Sequence, residues 1–235
     1  MVDPPPKPWP PDLPPIHRDR YRPAEEALDS CCPLPAAARW HAADLAWTDA
    51  LHHSRTVPTS ETVPPAERIG VLLQGLGIPV GDPERRGFVS QPEATDLVTA
   101  RVLKDGRELR LAPAAAAAWQ MLAAAAAAEG VTLLLISGFR SVEHQQQILA
   151  KKLAAGQTLE EILRVNAAPG YSEHHTGRAV DIGTPGCPPL KEAFEDTAAF
   201  AWLSRNAGAA GFRMTYPRGN PQGVIYEPWH WLFVG

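Results

Sequence analysis

Half of the first ten residues are proline, and the run MVDPPPKPWPPDLPPIHRDR carries the bias further. Proline fixes its own φ and has no backbone N–H, so a segment this rich in it can neither continue a helix nor occupy the middle of a sheet. Residues 1–23 therefore read as an extended or polyproline II tail without a packed core. The same prolines leave no room for the apolar run of a secretory leader, which points to a cytoplasmic chain. No apolar stretch reaches the length of a membrane span. The nearest candidate, Ala114 to Ala128, is weakly apolar and interrupted by Gln120, and reads as a soluble helix.

Residues 24–89 read as an N-terminal extension, partly helical. Leu45, Ala46 and Leu51 recur at mixed three- and four-residue spacing up to about Val57, and Pro58, Pro64 and Pro65 break the pattern. The cysteines are Cys31, Cys32 and Cys187. An odd count with one adjacent pair is neither a disulfide framework nor a zinc-binding set. The net charge of −4 is spread over interleaved acidic and basic residues, with no basic stripe, so nucleic acid is not an expected partner.

From residue 90 onward the pattern is that of a folded domain, 90–235. Asp96 to Leu103 and Glu108 to Leu111 are two β-like runs around Asp105-Gly106, a strong hairpin signal. Pro113 opens an alanine-rich helix that stops at Gly130, because proline suits a first turn and glycine a last one. Val131–Ile136 is short, apolar and rich in strand formers. Ser141 is placed to cap a helix ending near Gly156, and Thr158 with Glu161 forms a capping box for the next. Strands are expected at Arg178–Ile182, Phe212–Tyr216 and Val224–Tyr226, with a helix from about Asp196 to Ala207. Interspersed helices and hairpin-like strand pairs predict an α+β fold, a small antiparallel sheet flanked by helices.

Two segments carry chemistry: Ser172-Glu-His174-His175-Thr-Gly177-Arg-Ala179-Val-Asp181, and Glu227-Pro228-Trp229-His230. Together they hold two imidazoles, one carboxylate ligand and one spare carboxylate. A catalytic zinc site takes three protein ligands and keeps a fourth position open. Peptide hydrolysis there still needs a base to accept the proton of water and return it to the leaving amine. A turn at Thr176-Gly177 would let the chain bend, and Ala179 and Asp181 would then share one face of a strand. His175, next to His174, would point away if the segment is extended. Glu227 and His230 are three apart, yet Pro228 argues against a helix. A bend at Pro228-Trp229 is needed to bring them to one place.

The ordered pattern SxHxxGxAxD followed by ExWH resembles the signature of the M15 metallopeptidases, the VanY-like D-alanyl-D-alanine carboxypeptidases. The resemblance extends through Ser137-Gly-Phe-Arg140-Ser141-Val-Glu-His-Gln145 and through Trp202-Leu203, Asn206-Ala207, Gly211-Phe212 and Tyr216-Pro217, and so covers about residues 90–235. It implies one zinc ion on His174, Asp181 and His230, with the site lying on the sheet of a hedgehog- and D,D-peptidase-like fold. It implies Glu227 as general acid/base and Arg140 as the cation at the substrate carbonyl. Ser141, Gln145, Ser172 and Trp229 are implied as substrate contacts. The implied partner is a peptidoglycan stem peptide or its precursor, which suits the cell envelope. Phe139 stands where tyrosine is common and His175 where glutamine is frequent, which bears on substrate preference. An L,D-carboxypeptidase, a D-Ala-D-Ala dipeptidase or a wall endopeptidase would use the same site. A non-catalytic zinc-containing peptidoglycan-binding module would keep the ligands without needing Glu227.

Overall fold

The computed structural model describes residues 65–235. The proline-rich tail, the helical segment at 24–57 and the Cys31-Cys32 pair lie outside them. Among the described residues no helix is long and apolar enough to cross a membrane.

The fold is α+β. Helices α1 (Pro65–Gly75) and α2 (Asp82–Arg85) lead into a two-stranded antiparallel hairpin of β1 (Val98–Val102) and β2 (Glu108–Leu111). The turn falls at Asp105-Gly106, where Asp105 accepts from the Arg107 backbone N–H at 3.1 Å. Helix α3 (Pro113–Ala128), strand β3 (Leu134–Ser137) and helices α4 (Val142–Ala154) and α5 (Leu159–Val165) follow. Ser141 caps α4, and the Thr158/Glu161 capping box opens α5. Strand β4 (Ala179–Gly183), helix α6 (Ala198–Asn206) and strands β5 (Phe212–Met214) and β6 (His230–Phe233) complete the chain. The main sheet is antiparallel with order β3-β4-β6-β5.

Two expected strands are placed differently. Strand β3 starts three residues late because the Val131 N–H still closes the end of α3, on the Ala126 carbonyl. Residues Val224–Tyr226 are not a strand. The side chain of Asn220 takes both backbone groups of Val224, and the Ile225 N–H goes to the Arg164 carbonyl, so the ladder has no claim on them. The last strand is His230–Phe233 instead, central in the sheet between β4 and β5.

One face of the sheet is apolar. Val180, Ile182 and Trp231 pack there against Trp119 and Leu122 of α3 and Trp202 and Leu203 of α6. A second cluster joins Leu149, Ile162 and Leu163 of α4 and α5 to Leu73, Leu76, Ile78 and Phe88, so residues 65–89 share a core with the chain beyond 140. Side chains alternate across a strand, so burying Val180 and Ile182 in the first cluster turns Asp181 to the opposite face. That face carries the polar site.

Candidate metal centre and substrate cavity

Asp181 of β4 and His230 of β6 are register partners across the antiparallel ladder, which puts their side chains on one face as neighbours. His230 Nδ1 stands 3.1 Å from Asp181 Oδ1. His174 arrives from the 3₁₀ turn Glu173–Thr176 just before β4 and sets Nε2 3.3 Å from Asp181 Oδ2. All three are buried, and their ligand atoms lie within 4.8 Å of one another.

Two glycines make the approach possible. Gly177 ends the turn at φ 64, and a Cβ there would sit 2.9 Å from the backbone N of Ala112. Gly138 lies against β2, where a Cβ would meet the Arg110 carbonyl oxygen at 2.6 Å. The Gly138 carbonyl accepts from His174 Nδ1 at 2.7 Å. A hydrogen bond from one ring nitrogen decides which nitrogen is left for a metal.

The turn distributes consecutive side chains to separate tasks. His174 faces Asp181. His175 turns into the wall, where Nδ1 donates to the Arg140 carbonyl at 2.6 Å and Nε2 accepts from the Gly170 N–H at 3.1 Å. Burial pushes its pKa down to about 4. Both nitrogens are spoken for, so His175 is not a ligand. Glu173 crosses to His230, with Oε2 2.8 Å from Nε2, and the same oxygen accepts from the Thr215 hydroxyl at 2.6 Å.

The donor set fits a divalent cation. With the protons of His174 Nδ1 and His230 Nε2 directed at Gly138 and Glu173, the other two ring nitrogens and the Asp181 carboxylate point at one buried spot. Converging acceptors repel one another unless a positive charge lies among them. Two imidazoles and a carboxylate with their outer partners in place suit a tetrahedral ion with one open position. The field also favours a proton there. Burial opposes charge on His230, but Asp181 and Glu173 outweigh it and lift its pKa to about 10. Burial lowers that of His174. Asp181 is pushed up by burial, yet the two imidazoles hold it well below the ordinary carboxylate range.

A cavity of about 410 Å³ opens onto this spot. Glu227 lines it, and the required bend is a turn in which the His230 N–H donates to the Glu227 carbonyl at 3.1 Å. Trp231 Nε1 fastens the turn by donating to the Pro228 carbonyl at 3.0 Å. Burial raises the Glu227 pKa to about 7, against the opposing pull of His230. Arg140 also lines the cavity; burial lowers its pKa while Asp181 and Glu227 pull the other way.

Of the expected substrate contacts, Ser172 and Trp229 line the cavity and Ser141 does not. The Ser141 hydroxyl accepts from the His144 N–H as the cap of α4. Gln145 reaches the cavity wall, but it is 1% exposed and its amide is committed: Oε1 accepts from Arg140 Nη1 at 2.9 Å, and Nε2 donates to the Ala167 carbonyl at 2.7 Å. Gln145 thus holds Arg140 in place. Phe139 and His175 do not line the cavity either; Arg110 lies over the Phe139 ring and His175 is inside the wall.

Glu173, Lys152 and Tyr216 are among the lining residues that sequence reasoning does not single out. Glu173 adjoins a ligand in sequence, but its partner His230 is 57 residues away. Lys152, two turns beyond Gln145 on α4, has no acidic side chain paired with it among the described residues.

The chain is similar to several known proteins. The family model described as VanY, D-alanyl-D-alanine carboxypeptidase, matches residues 108–235. A D-alanyl-D-alanine carboxypeptidase of Enterococcus faecalis is 34% identical over 117 residues, 46% of this chain and 42% of that protein. The chain likewise spans only 45% of the length of YodJ of Bacillus subtilis, to which it is 37% identical over 125 residues, 52% of this chain. Among solved structures, the LdcB LD-carboxypeptidase is 34% identical with a TM-score of 0.55, covering 61% of this chain and 70% of that one. VanYB, solved in complex with D-alanine-D-alanine, is 32% identical with a TM-score of 0.50, covering 63% and 82%.

Proposed function

The chain belongs to the VanY D-alanyl-D-alanine carboxypeptidase family, and from that membership we propose that it is a zinc-dependent carboxypeptidase that removes the C-terminal D-alanine of peptidoglycan stem peptides. The observation that carries the reading is the convergence of His174, Asp181 and His230 with Glu227 and Arg140 on one cavity. His174 through Nε2, His230 through Nδ1 and Asp181 would hold the metal. When bound, the ion polarises the scissile carbonyl and acidifies water.

The side chains supply the rest. Glu227, a carboxylate lining the cavity beside these ligands, accepts the proton of the attacking water and delivers it to the leaving amine. Arg140, held by Gln145, stabilises negative charge that develops on the carbonyl oxygen. Lys152 meets the substrate's terminal carboxylate, the one fixed charge every carboxypeptidase substrate carries. Ser172 and Trp229 shape the wall between these groups. Glu227 also argues against a non-catalytic binding module, since binding alone has no use for a buried base.

The test is incubation of the zinc-loaded protein with a muropeptide pentapeptide, with and without chelator, followed by mass spectrometry. Loss of one terminal alanine, abolished by chelator, is the expected result. An intact pentapeptide beside a protein shown to hold zinc rejects the reading. The likeness to an LD-carboxypeptidase makes the tetrapeptide the second substrate to include, and its cleavage in place of the pentapeptide moves the assignment to L,D specificity.

A further inference from the structure

We infer that Glu173 is a positioning residue for the metal centre: it selects Nδ1 of His230 as the ligand atom by accepting the proton of Nε2, and Thr215 holds it in place for that task.

The argument starts from the ring. A neutral imidazole carries one proton, and either nitrogen can hold it. His230 opens β6 opposite Asp181, and this register brings Nδ1, not Nε2, to the Asp181 carboxylate. The tautomer with the proton on Nδ1 would turn a donor toward the metal position and remove the ligand. Glu173 Oε2 lies 2.8 Å from Nε2, where only the Nε2–H tautomer makes a hydrogen bond. The Glu173 side chain is 13% exposed, so its charge is weakly screened. It is not a free carboxylate swinging in the cavity, because the Thr215 hydroxyl donates to the same oxygen at 2.6 Å.

The two imidazoles are handled by different partners. His174 gives Nδ1–H to the neutral carbonyl of Gly138 and keeps Nε2 for the metal. His230 gives Nε2–H to a carboxylate and keeps Nδ1. An anionic partner makes a ligating imidazole more basic as well as oriented, so the stronger donor of the pair is His230. Glu173 reaches this ligand because the 3₁₀ turn throws residue 173 across the site while placing His174 beside Asp181.

The inference rests on the metal centre proposed above, and its test is separable from peptide hydrolysis. Zinc affinity of Glu173→Ala and Glu173→Gln is measured by chelator competition, with circular dichroism as a check on folding, and the cobalt-substituted forms are compared by their visible spectra. Glu173→Ala is expected to bind zinc about 10–100-fold more weakly than the parent. Glu173→Gln, whose amide oxygen still accepts from Nε2–H, is expected to recover most of that loss and the parental cobalt spectrum. Parental affinity in Glu173→Ala, or a glutamine variant no better than alanine, overturns the inference. The parent protein provides a check that needs no variant. A long-range ¹H–¹⁵N spectrum of the zinc-loaded form must show His230 protonated at Nε2 and metal-bound at Nδ1, and the reverse assignment overturns the inference. A parent that takes up no divalent metal overturns the metal centre itself and this inference with it. Failure to cleave any peptide, with these metal results intact, counts against the proposed activity alone.

Discussion

Replacing Glu227 by glutamine should have two opposite effects with one cause. Glutamine keeps the shape and cannot ionise. Burial raises the Glu227 carboxyl from 4.5 to about 7, which at 1.36 kcal/mol per pKa unit amounts to roughly 3 kcal/mol held against the folded state once the group is ionised. The sign follows from linkage. Between pH 4.5 and about 7 the native state binds more protons than the unfolded chain, so stability contributed by this group falls as pH rises through that window. In metal-free protein the Glu227→Gln variant should therefore melt higher than the parent at pH 8, by about 6–12 °C for a folded unit of this size. The difference should shrink to nothing below pH 4, where both states of the parent are protonated. Activity should move the other way. Removing the base should lower kcat by about 10²–10⁴-fold with zinc content unchanged, because Glu227 is not a ligand. Melting is read by calorimetry with chelator present, and turnover by release of D-alanine from a pentapeptide. Parental turnover in zinc-loaded Glu227→Gln refutes the base assignment. Equal melting temperatures at pH 8 refute the argument from burial.

Lys152→Ala should raise KM for a peptide with a free C-terminal carboxylate by roughly tenfold while leaving kcat nearly unchanged, and should have no effect on a C-terminally amidated peptide; equal losses on both would show that Lys152 does not read the carboxylate. His175→Ala strands the Arg140 carbonyl and the Gly170 N–H, and should cost about 2–4 kcal/mol at pH 8 without loss of zinc. Because the parent's His175 has a depressed pKa, its contribution is lost as pH falls from 6.5 to about 4, so denaturation curves of the two proteins should converge toward acid pH. Zinc affinity should rise by about tenfold per pH unit through the neutral range, since the metal displaces a proton that His230 holds up to about pH 10. A pH-independent affinity by chelator competition would refute that exchange.

Much of the local structure is legible in the chain because its causes are local. Asp105-Gly106 closes its hairpin, Pro113 opens α3, and Ser141 and the Thr158/Glu161 box start their helices through hydrogen bonds within a few residues. The candidate metal ligands are legible for a different reason: His174, Asp181 and His230 are metal-binding residue types in an ordered pattern. The run of strand formers at Val224–Tyr226 predicts a strand that does not form, because Asn220 and Arg164 take its backbone groups and nothing in the run reveals this.

Sequence alone thus determined which side chains have the chemistry to bind a metal and move a proton, since composition and spacing name donors and bases directly. Only the tertiary structure decided what each could reach. His175 has the same chemistry as His174 but spends both nitrogens in the wall, Gln145 is consumed in holding Arg140, and Ser141 is left outside the cavity. Glu173, an unmarked position in the pattern, gained its role from the register that sets His230 opposite Asp181. A hydrogen bond between residues far apart in sequence depends on strand pairing and burial, and those are set by the packing of the whole domain.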